Sequence, residues 1–311
     1  MKKPVYIDPT TDFGFKRIFA SEPNKELLIA FINELFRGRK QVVDLSYDKN
    51  EFVGDTEEMG SVILDLTCTA SNGERFIIEI QTSPQVNFKK RMVYYGSKLI
   101  ADQAPKGNRK EWGYSISEVY VIVLLDGFHL SDSGRKEKYL HRVCNCDIET
   151  GEVFFEYLQF IYIELINFTK GETELSDDLD KWLYILKNIS SMEKLPVYLR
   201  KPIFEKLFQI AEYSKLNKEE KAMYDISQKR KWDHKVVLDY AREEGLKQGI
   251  EKGLEKGRKE GIEKGRQQLE KKAYEVVKNL IEELDLPDDA IVRIAGVSVE
   301  FVQKVRTELK N

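Results

Sequence analysis

The stretch VILDLTCTASNGERFIIEIQ, residues 62–81, decides the fold because two alternating segments flank a turn. Residues 62–70 carry an apolar side chain at every second position, which predicts a strand with one buried face. Residues 75–81 alternate in the same way and predict a second strand. The dipeptide Asn72-Gly73 between them is a strong hairpin signal. We therefore predict a β-hairpin that buries its apolar face.

The register of this hairpin follows from keeping the apolar residues of both strands on one face. A two-residue turn would mix apolar and polar positions, which a buried face does not tolerate. A three-residue loop at residues 71–73, with a left-handed glycine, keeps the apolar positions together. This register predicts that Asp65 lies directly opposite Glu79. It also predicts that Ile63 lies opposite Gln81.

The pair Asp65 and Glu79 is the first candidate for chemistry. Two carboxylates on adjacent strands repel each other unless a cation lies between them. Hard oxygen ligands suit Mg²⁺ or Mn²⁺, which can activate water and stabilise charge developing on a phosphodiester. The spacing alone favours a solvent-facing strand face with scattered polar residues. The pattern leaves both interpretations open.

The segments around the hairpin predict an α/β fold. Strands are predicted at residues 42–48, 118–126 and 158–165, and helices at residues 23–36 and 88–103. The helix between the third and fourth strands allows a parallel connection, which is expected to be right-handed. From residue 176 onward the periodicity is helical, with breaks at Pro196 and Pro202.

The C-terminal part of the chain repeats a glycine every four residues, at Gly245, Gly249, Gly253, Gly257, Gly261 and Gly265. Each glycine disfavours a helix by about 1 kcal/mol relative to alanine, whereas pairs such as Glu255 with Lys259 support one. The stretch therefore fits either a flexible helical linker or a small-residue stripe through which two helices associate. Beyond it, residues 286–309 are predicted to form two helices around a turn, with Ser298 as a cap. This unit fits a packing hairpin or a DNA-reading helix-turn-helix.

The 50 basic and 53 acidic side chains of the 311 residues leave a net charge of −3, which excludes a uniformly basic nucleic-acid coat. The charges are nevertheless segregated. Residues 42–65 carry seven acids and one lysine, and residues 85–110 carry seven bases and one acid. The glycine-repeat stretch, residues 245–272, has nine bases and five acids. An acidic strand face next to a basic helix suits an enzyme that acts on a phosphodiester.

Compartment and membrane association follow from the apolar runs and the cysteines. No apolar run is long enough to span a membrane, and no signal peptide is predicted, so we expect a cytoplasmic protein without a membrane partner. Three cysteines in a chain of this length favour a reducing compartment over a disulfide framework. Cys144 and Cys146, with His141 nearby, would offer a structural zinc site only with a further ligand.

A family resemblance rests on two motifs. Asp65, followed after the hairpin by Glu79-Ile80-Gln81, resembles the PD-(D/E)XK nuclease superfamily in its E-x-Q variant. The opening TDFGFKRIF, residues 11–19, resembles the recombination-promoting nuclease (Rpn) and transposase branch, as do Arg91 and Tyr95 on the following helix. The resemblance covers nearly the whole chain. It implies a restriction-endonuclease-like core, a mixed sheet flanked by helices in the order α-β-β-β-α-β, with an all-α C-terminal extension.

The resemblance implies roles for individual residues. Asp65 and Glu79 would bind the Mg²⁺ or Mn²⁺ ion, and Gln81 takes the position at which the superfamily usually has lysine. Glutamine carries no charge, so it can orient water or phosphate but cannot supply the charge stabilisation of a lysine. The missing charge would come from Lys16 or from the pair Lys89 and Lys90.

Three further residues have two interpretations each. Asp12 is either the N-cap of the helical turn at residues 13–19 or an additional acid at the edge of the site. Arg91 and Tyr95, four residues apart on one helix face, either contact phosphate or form a structural ion pair and a buried aromatic.

The resemblance implies a metal-dependent DNA endonuclease of the bacterial cytoplasm, associated with recombination or transposition. From the C-terminal helices we expect the protein to form homo-oligomers. The alternative is an inactive nuclease scaffold that binds DNA or a partner, and RNA is a further possible substrate. The domain division expected is a nuclease-like domain at 1–170, a helical extension at 171–240, the glycine-repeat segment at 241–272 and a helix-turn-helix-like unit at 273–311.

Overall fold

The structure is a computed structural model, and it describes residues 4–49, 51–52, 62–105, 112–130 and 138–309. Parts of the acidic stretch 42–65 and of the basic stretch 85–110 lie outside these ranges. The chain divides into two compact units, Met1–Leu238 and Asp239–Asn311.

The strands of the first unit are β1 (Leu45–Tyr47), β2 (Glu51–Phe52), β3 (Val62–Ile63), β4 (Leu66–Ala70), β5 (Arg75–Gln81), β6 (Val119–Leu125), β7 (Leu140–Cys146) and β8 (Val153–Glu164). The helices described in the two units together are α1 (Asp12–Phe19), α2 (Lys25–Phe36), α3 (Phe88–Ala101), α4 (Asp178–Asn188), α5 (Pro202–Ala211), α6 (Lys218–Glu282), α7 (Asp288–Ala295) and α8 (Val299–Glu308). Short 3₁₀ turns connect several of them.

The main sheet has six strands in the order β1-β4-β5-β6-β8-β7. Strands β5, β6 and β8 are parallel to one another, and the remaining neighbours are antiparallel. Helix α3 connects β5 to β6, as the parallel connection requires. The sheet is therefore mixed and flanked by helices, and the predicted α/β fold class is confirmed.

The hairpin of β4 and β5 has the predicted register. Leu66 pairs with Ile78 and Cys68 pairs with Phe76. The N–H of Ala70 donates to the carbonyl of Glu74 over 2.8 Å, which closes a three-residue loop. Gly73 in this loop has φ +88°, a conformation that favours glycine. The buried apolar face thus selects the loop length.

The first strand of the hairpin is interrupted, in contrast to the prediction. Ile63 belongs to β3, which pairs only with β2 in a separate two-stranded sheet among the described residues, so the predicted pairing of Ile63 with Gln81 is wrong. Leu64 packs on the opposite side of the sheet from Leu66, which a regular strand does not allow. The side of the sheet on which the side chains pack changes at the intervening Asp65. The backbone and the side chain of Asp65 form hydrogen bonds to β5 that are not those of a regular strand pair.

Two hydrophobic layers cover the sheet. One face, with Phe76, Ile78 and Tyr120, packs against α1, α2, α4 and α5. The other face, with Ile77 and Val121, packs under α3 through a second cluster of buried side chains. All seven residues of β6 are buried, as expected for a central parallel strand. The face that carries Glu79 is covered by a helix, so the interpretation as a solvent-facing strand face is wrong.

Two features of the fold go beyond the prediction from sequence. Strand β7 was not predicted, because its exposed and half-buried residues carry no apolar alternation. Helices α4 and α5 share the core of the sheet through Trp182 and Phe204, so the residues on both sides of position 170 belong to one compact unit. The proposed division into four domains stays a prediction.

Gly14 in helix α1 lies against the segment that precedes the helix. A Cβ atom at this position would lie 2.0 Å from the backbone oxygen of Asp8, a contact that no side-chain movement relieves. We expect Gly14→Ala to destabilise the protein by about 2–3 kcal/mol, measured by urea unfolding. Gly257→Ala is the control, since its Cβ would meet nothing within 4 Å. Equal stability of the two variants would contradict this packing.

The second unit contains α6 from Asp239 onward together with α7 and α8. Val277, Ile291, Val302 and Val305 form its small core. Ser298 caps α8 by accepting a hydrogen bond from the N–H of Phe301, as predicted. The glycine repeat lies within α6, and a Cβ at any of its six glycines would meet open space. Among the described residues, no helix combines the length and the apolar character that a membrane span requires.

Candidate active site

Asp65, in the break between β3 and β4, lies beside Glu79 of β5. The N–H of Asp65 donates to Oε1 of Glu79 over 3.1 Å, and the N–H of Ile80 donates to Oδ2 of Asp65 over 2.9 Å. Each carboxylate thus accepts a hydrogen bond from the backbone of the other segment. Gln81 adds a third contact, since its Nε2 donates to Oε2 of Glu79 over 3.2 Å. The structure brings together the three residues that the hairpin pattern selected.

Burial and mutual repulsion disfavour the charged form of both carboxylates. The Glu79 residue is only 4% exposed. Its burial, and next the charge of Asp65, raise the pKa of Glu79 to about 8. Burial is also the main cause of the raised pKa of Asp65. The hydrogen bond from the N–H of Ile80 acts in the opposite direction and lowers this pKa. A pair of carboxylates in this state gains most from a nearby positive charge.

Helix α1 brings Asp12 and Lys16 to this pair. The Lys16 ammonium lowers the pKa of Asp65 and the Asp12 carboxylate raises it. Nζ of Lys16 lies 2.7 Å from Oδ1 of Asp12, and both side chains are largely exposed. The N-cap of α1 is Thr11, which accepts from the N–H of Gly14. The interpretation of Asp12 as the N-cap is therefore wrong, and its charge acts on Asp65.

Helix α3 brings Arg91 and Tyr95 from the other side. The Arg91 charge lowers the pKa of both Asp65 and Glu79, and the guanidinium carbon lies 5.7 Å from the centre of the Tyr95 ring. Arg91 hydrogen-bonds Gln85, but its buried Nε has no hydrogen-bond partner. Burial raises the pKa of Tyr95, and the charges of the two carboxylates act in the same direction. Arg91 and Tyr95 thus face the carboxylates rather than standing apart from them.

Lys89 and Lys90 are exposed in the first turn of the same helix. The cations that act most strongly on the two carboxylates are Lys16 and Arg91. The structure therefore supports Lys16 over Lys89 and Lys90 as a source of charge at the position where Gln81 provides none.

The donors fit a magnesium-type ion better than a transition metal. Asp65 and Glu79 offer hard oxygen atoms on a rigid frame, and Mg²⁺ commonly takes one or two carboxylates and completes its shell with water and phosphate. Within the described part of the chain, no group of three or more His, Cys, Asp or Glu residues is arranged to hold a metal ion. This also removes support for a zinc site at Cys144 and Cys146. The nearby His141 Nε2 lies 2.9 Å from Oε1 of Glu164 instead, outside hydrogen-bond geometry.

A cluster around Lys231 was missed by the sequence analysis. Nζ of this α6 residue lies 2.8 Å from Oδ2 of Asp8 and 2.6 Å from Oδ2 of Asp126. The N–H of Asp126 donates to the carbonyl of Gln81 over 2.8 Å, so the cluster adjoins the site. Asp126 follows a buried parallel strand, at the edge of the sheet where ligands commonly bind. Its position was a usable signal, whereas nothing in the sequence pairs it with Lys231.

The fold and this site together define a nuclease-type scaffold. The chain belongs to the PD-(D/E)XK nuclease family transposases, whose family pattern matches residues 9–241. The match covers both motifs on which the resemblance rests. No curated protein and no solved structure matches the sequence.

Proposed function

We propose that the protein is a divalent-metal-dependent DNA endonuclease that hydrolyses phosphodiester bonds in recombination or transposition. The observation that carries this proposal is the contact of Asp65, in the break before β4, with Glu79 of β5, on which the charges of Lys16 and Arg91 act. A buried acidic pair with raised pKa values has no evident structural benefit, and its cost is offset when a cation binds.

Asp65 and Glu79 would hold Mg²⁺ or Mn²⁺. The bound ion would supply an activated water and Lewis-acid stabilisation of the phosphodiester. Gln81 restrains Glu79 by its hydrogen bond, and its amide can orient a water or a phosphate oxygen. Asp12, at the edge of the site, would serve as an additional acid.

Positive side chains would replace the lysine usual in the superfamily. Lys16 and Arg91 can stabilise the negative charge that develops on the phosphate, and Tyr95 can donate a hydrogen bond to a phosphate oxygen. Lys89 and Lys90 would contact the DNA backbone further from the reacting atoms.

Plasmid relaxation tests the proposal. The purified full chain should convert supercoiled plasmid into nicked or linear DNA with Mg²⁺ or Mn²⁺, and EDTA should stop the conversion. Salt-sensitive DNA binding without cleavage under either metal would favour the alternative, an inactive scaffold that binds DNA or a partner. Cleavage of an RNA substrate in preference to DNA would change the substrate class. We further propose that it acts in the bacterial cytoplasm, where recombination and transposition take place.

Helix α6 would pair with a second copy of the chain. Its glycine repeat leaves four apolar side chains exposed by 55–70%, namely Leu246, Ile250, Leu254 and Ile262. Close approach at the glycines would allow a second helix to cover them. We expect light scattering to show a dimer that Ile250→Glu and Leu254→Glu each convert to monomer. Gln248→Glu, a control on the same stretch, should remain dimeric, and a monomeric wild type would contradict the proposal.

A further inference from the structure

A groove opens beside the candidate site, between α1, the end of α5 and the first turns of α6. Its volume is about 770 Å³, within the range of roughly 300–1,000 Å³ that ligand sites occupy. Asp12 and Lys16 line the groove, and their charges act on the Asp65 carboxylate. Two residues of the groove wall thus also influence the carboxylate pair.

The wall of the groove is apolar. Phe13, Ile210, Met223 and Ile226 line it, and the last two are about half exposed. The Phe13 backbone is fixed by a hydrogen bond from its N–H to Oγ of Ser227. Its ring lies edge-on to Tyr224 at a centroid distance of 6.0 Å. Phe13 is therefore held in place while part of it still faces the groove.

Basic side chains stand at the rim of the same groove. Lys16 pairs with Asp12, and Arg17 pairs with Glu220. Arg230 is exposed, and within the described residues no carboxylate is recorded within ion-pair distance of it. A ligand with flat apolar faces and a negatively charged backbone matches this combination, which is how proteins bind unpaired nucleic acid.

Double-stranded DNA fits the groove less well, because its bases are stacked inside the helix and only its phosphates would meet these walls. We propose that the groove binds an unpaired segment of the nucleic-acid strand adjoining the phosphodiester at Asp65 and Glu79. The inference rests on the proposed nuclease function and adds to it a preference for frayed, forked or flapped substrates. Phe13 provides the stacking surface, and Arg230 contacts the backbone of the unpaired strand.

Binding in EDTA tests the groove separately from cleavage. Fluorescence anisotropy of a labelled oligothymidylate should show binding to the full chain at least about tenfold tighter than to a blunt duplex of equal length. Ile226→Asp and Arg230→Glu should each weaken single-strand binding by about tenfold or more. Their matched controls, Val237→Asp and Lys229→Glu, make the same charge change at exposed α6 positions outside the groove. They should change binding less than about threefold. Phe13→Leu keeps an apolar side chain but removes the ring, and should weaken binding as well.

The outcomes separate the two proposals. The groove proposal is supported if the groove variants lose single-strand binding and the controls keep it. This holds even if no metal produces cleavage, because absence of cleavage would contradict only the nuclease function. Groove variants that bind the oligonucleotide like the wild type, or lose duplex binding equally, overturn the groove proposal. Absence of single-strand binding by the wild type overturns it too. With Mg²⁺, a forked substrate should be cleaved faster than a blunt duplex, and Arg230→Glu should remove that difference.

Discussion

Replacing Glu79 by glutamine should reduce metal-dependent nicking by about 10³-fold or more, a loss of ~4 kcal/mol in transition-state stabilisation. The amide keeps the size of the side chain but removes one of the two charged oxygen ligands for the cation. Asp65→Asn, and alanine at either position, should have effects of similar size. Initial rates of plasmid nicking with Mg²⁺ and with Mn²⁺ measure the loss.

The control for this result is a buried carboxyl away from the site. Glu74 lies directly before the first residue of β5, whereas Glu79 lies near the end of this strand. Glu74 is 9% exposed and forms an ion pair with Lys40 over 2.8 Å. Glu74→Gln should nick DNA within a few-fold of the wild-type rate. All variants should give the circular dichroism spectrum of the wild type. Nicking by Glu79→Gln at the wild-type rate would show that cleavage does not use this site.

Without metal, the stability of the protein should fall as the pH rises from about 5 to about 8. The folded protein raises the pKa of Glu79 to about 8 from an ordinary value of 4.5. The folded state therefore holds more protons than the unfolded state in this range, so the free energy of unfolding decreases with pH. The raised pKa of Asp65 acts in the same direction. We expect a loss on the order of 3 kcal/mol across the range.

Urea unfolding in EDTA, at several pH values, measures this dependence. Subtracting the free energy of unfolding of Glu79→Gln from that of the wild type cancels the contribution of the other titrating groups. This difference should show the variant becoming more stable relative to the wild type as the pH rises. Mg²⁺ should stabilise the wild type more at the upper end of the range, since a bound cation favours the ionised pair. A difference that stays constant from about pH 5 to about pH 8 would show that Glu79 is already ionised in the folded protein.

The hairpin and its acidic pair were predictable from the sequence because hydrophobic alternation fixes register. The pattern from Leu66 to Ile78 determined which residues face each other, and the structure has the same pairing. The break at Asp65 was not predictable, since Leu64 continues the alternation in sequence but packs on the other side of the sheet. Hydrogen bonds to side chains, rather than propensity, produce that break.

Contacts between residues far apart in the sequence were the hardest to predict from it. Lys231 meets Asp8 and Asp126 across more than a hundred residues, and no local pattern indicates such a cluster. The groove beside Phe13 likewise depends on how α5 and the first turns of α6 pack against α1. The sequence left Asp12 open as the N-cap of α1, because Asp12 and the actual N-cap, Thr11, are both good capping residues by type.

Crystals of the protein soaked in Mn²⁺ provide the most direct test of the central claim, that Asp65 and Glu79 bind a divalent cation. We expect an anomalous difference peak about 2.2 Å from carboxylate oxygens of both residues, absent from crystals of Glu79→Gln. A Mn²⁺ peak held by other side chains, or no peak beside this pair at saturating Mn²⁺, would contradict the account.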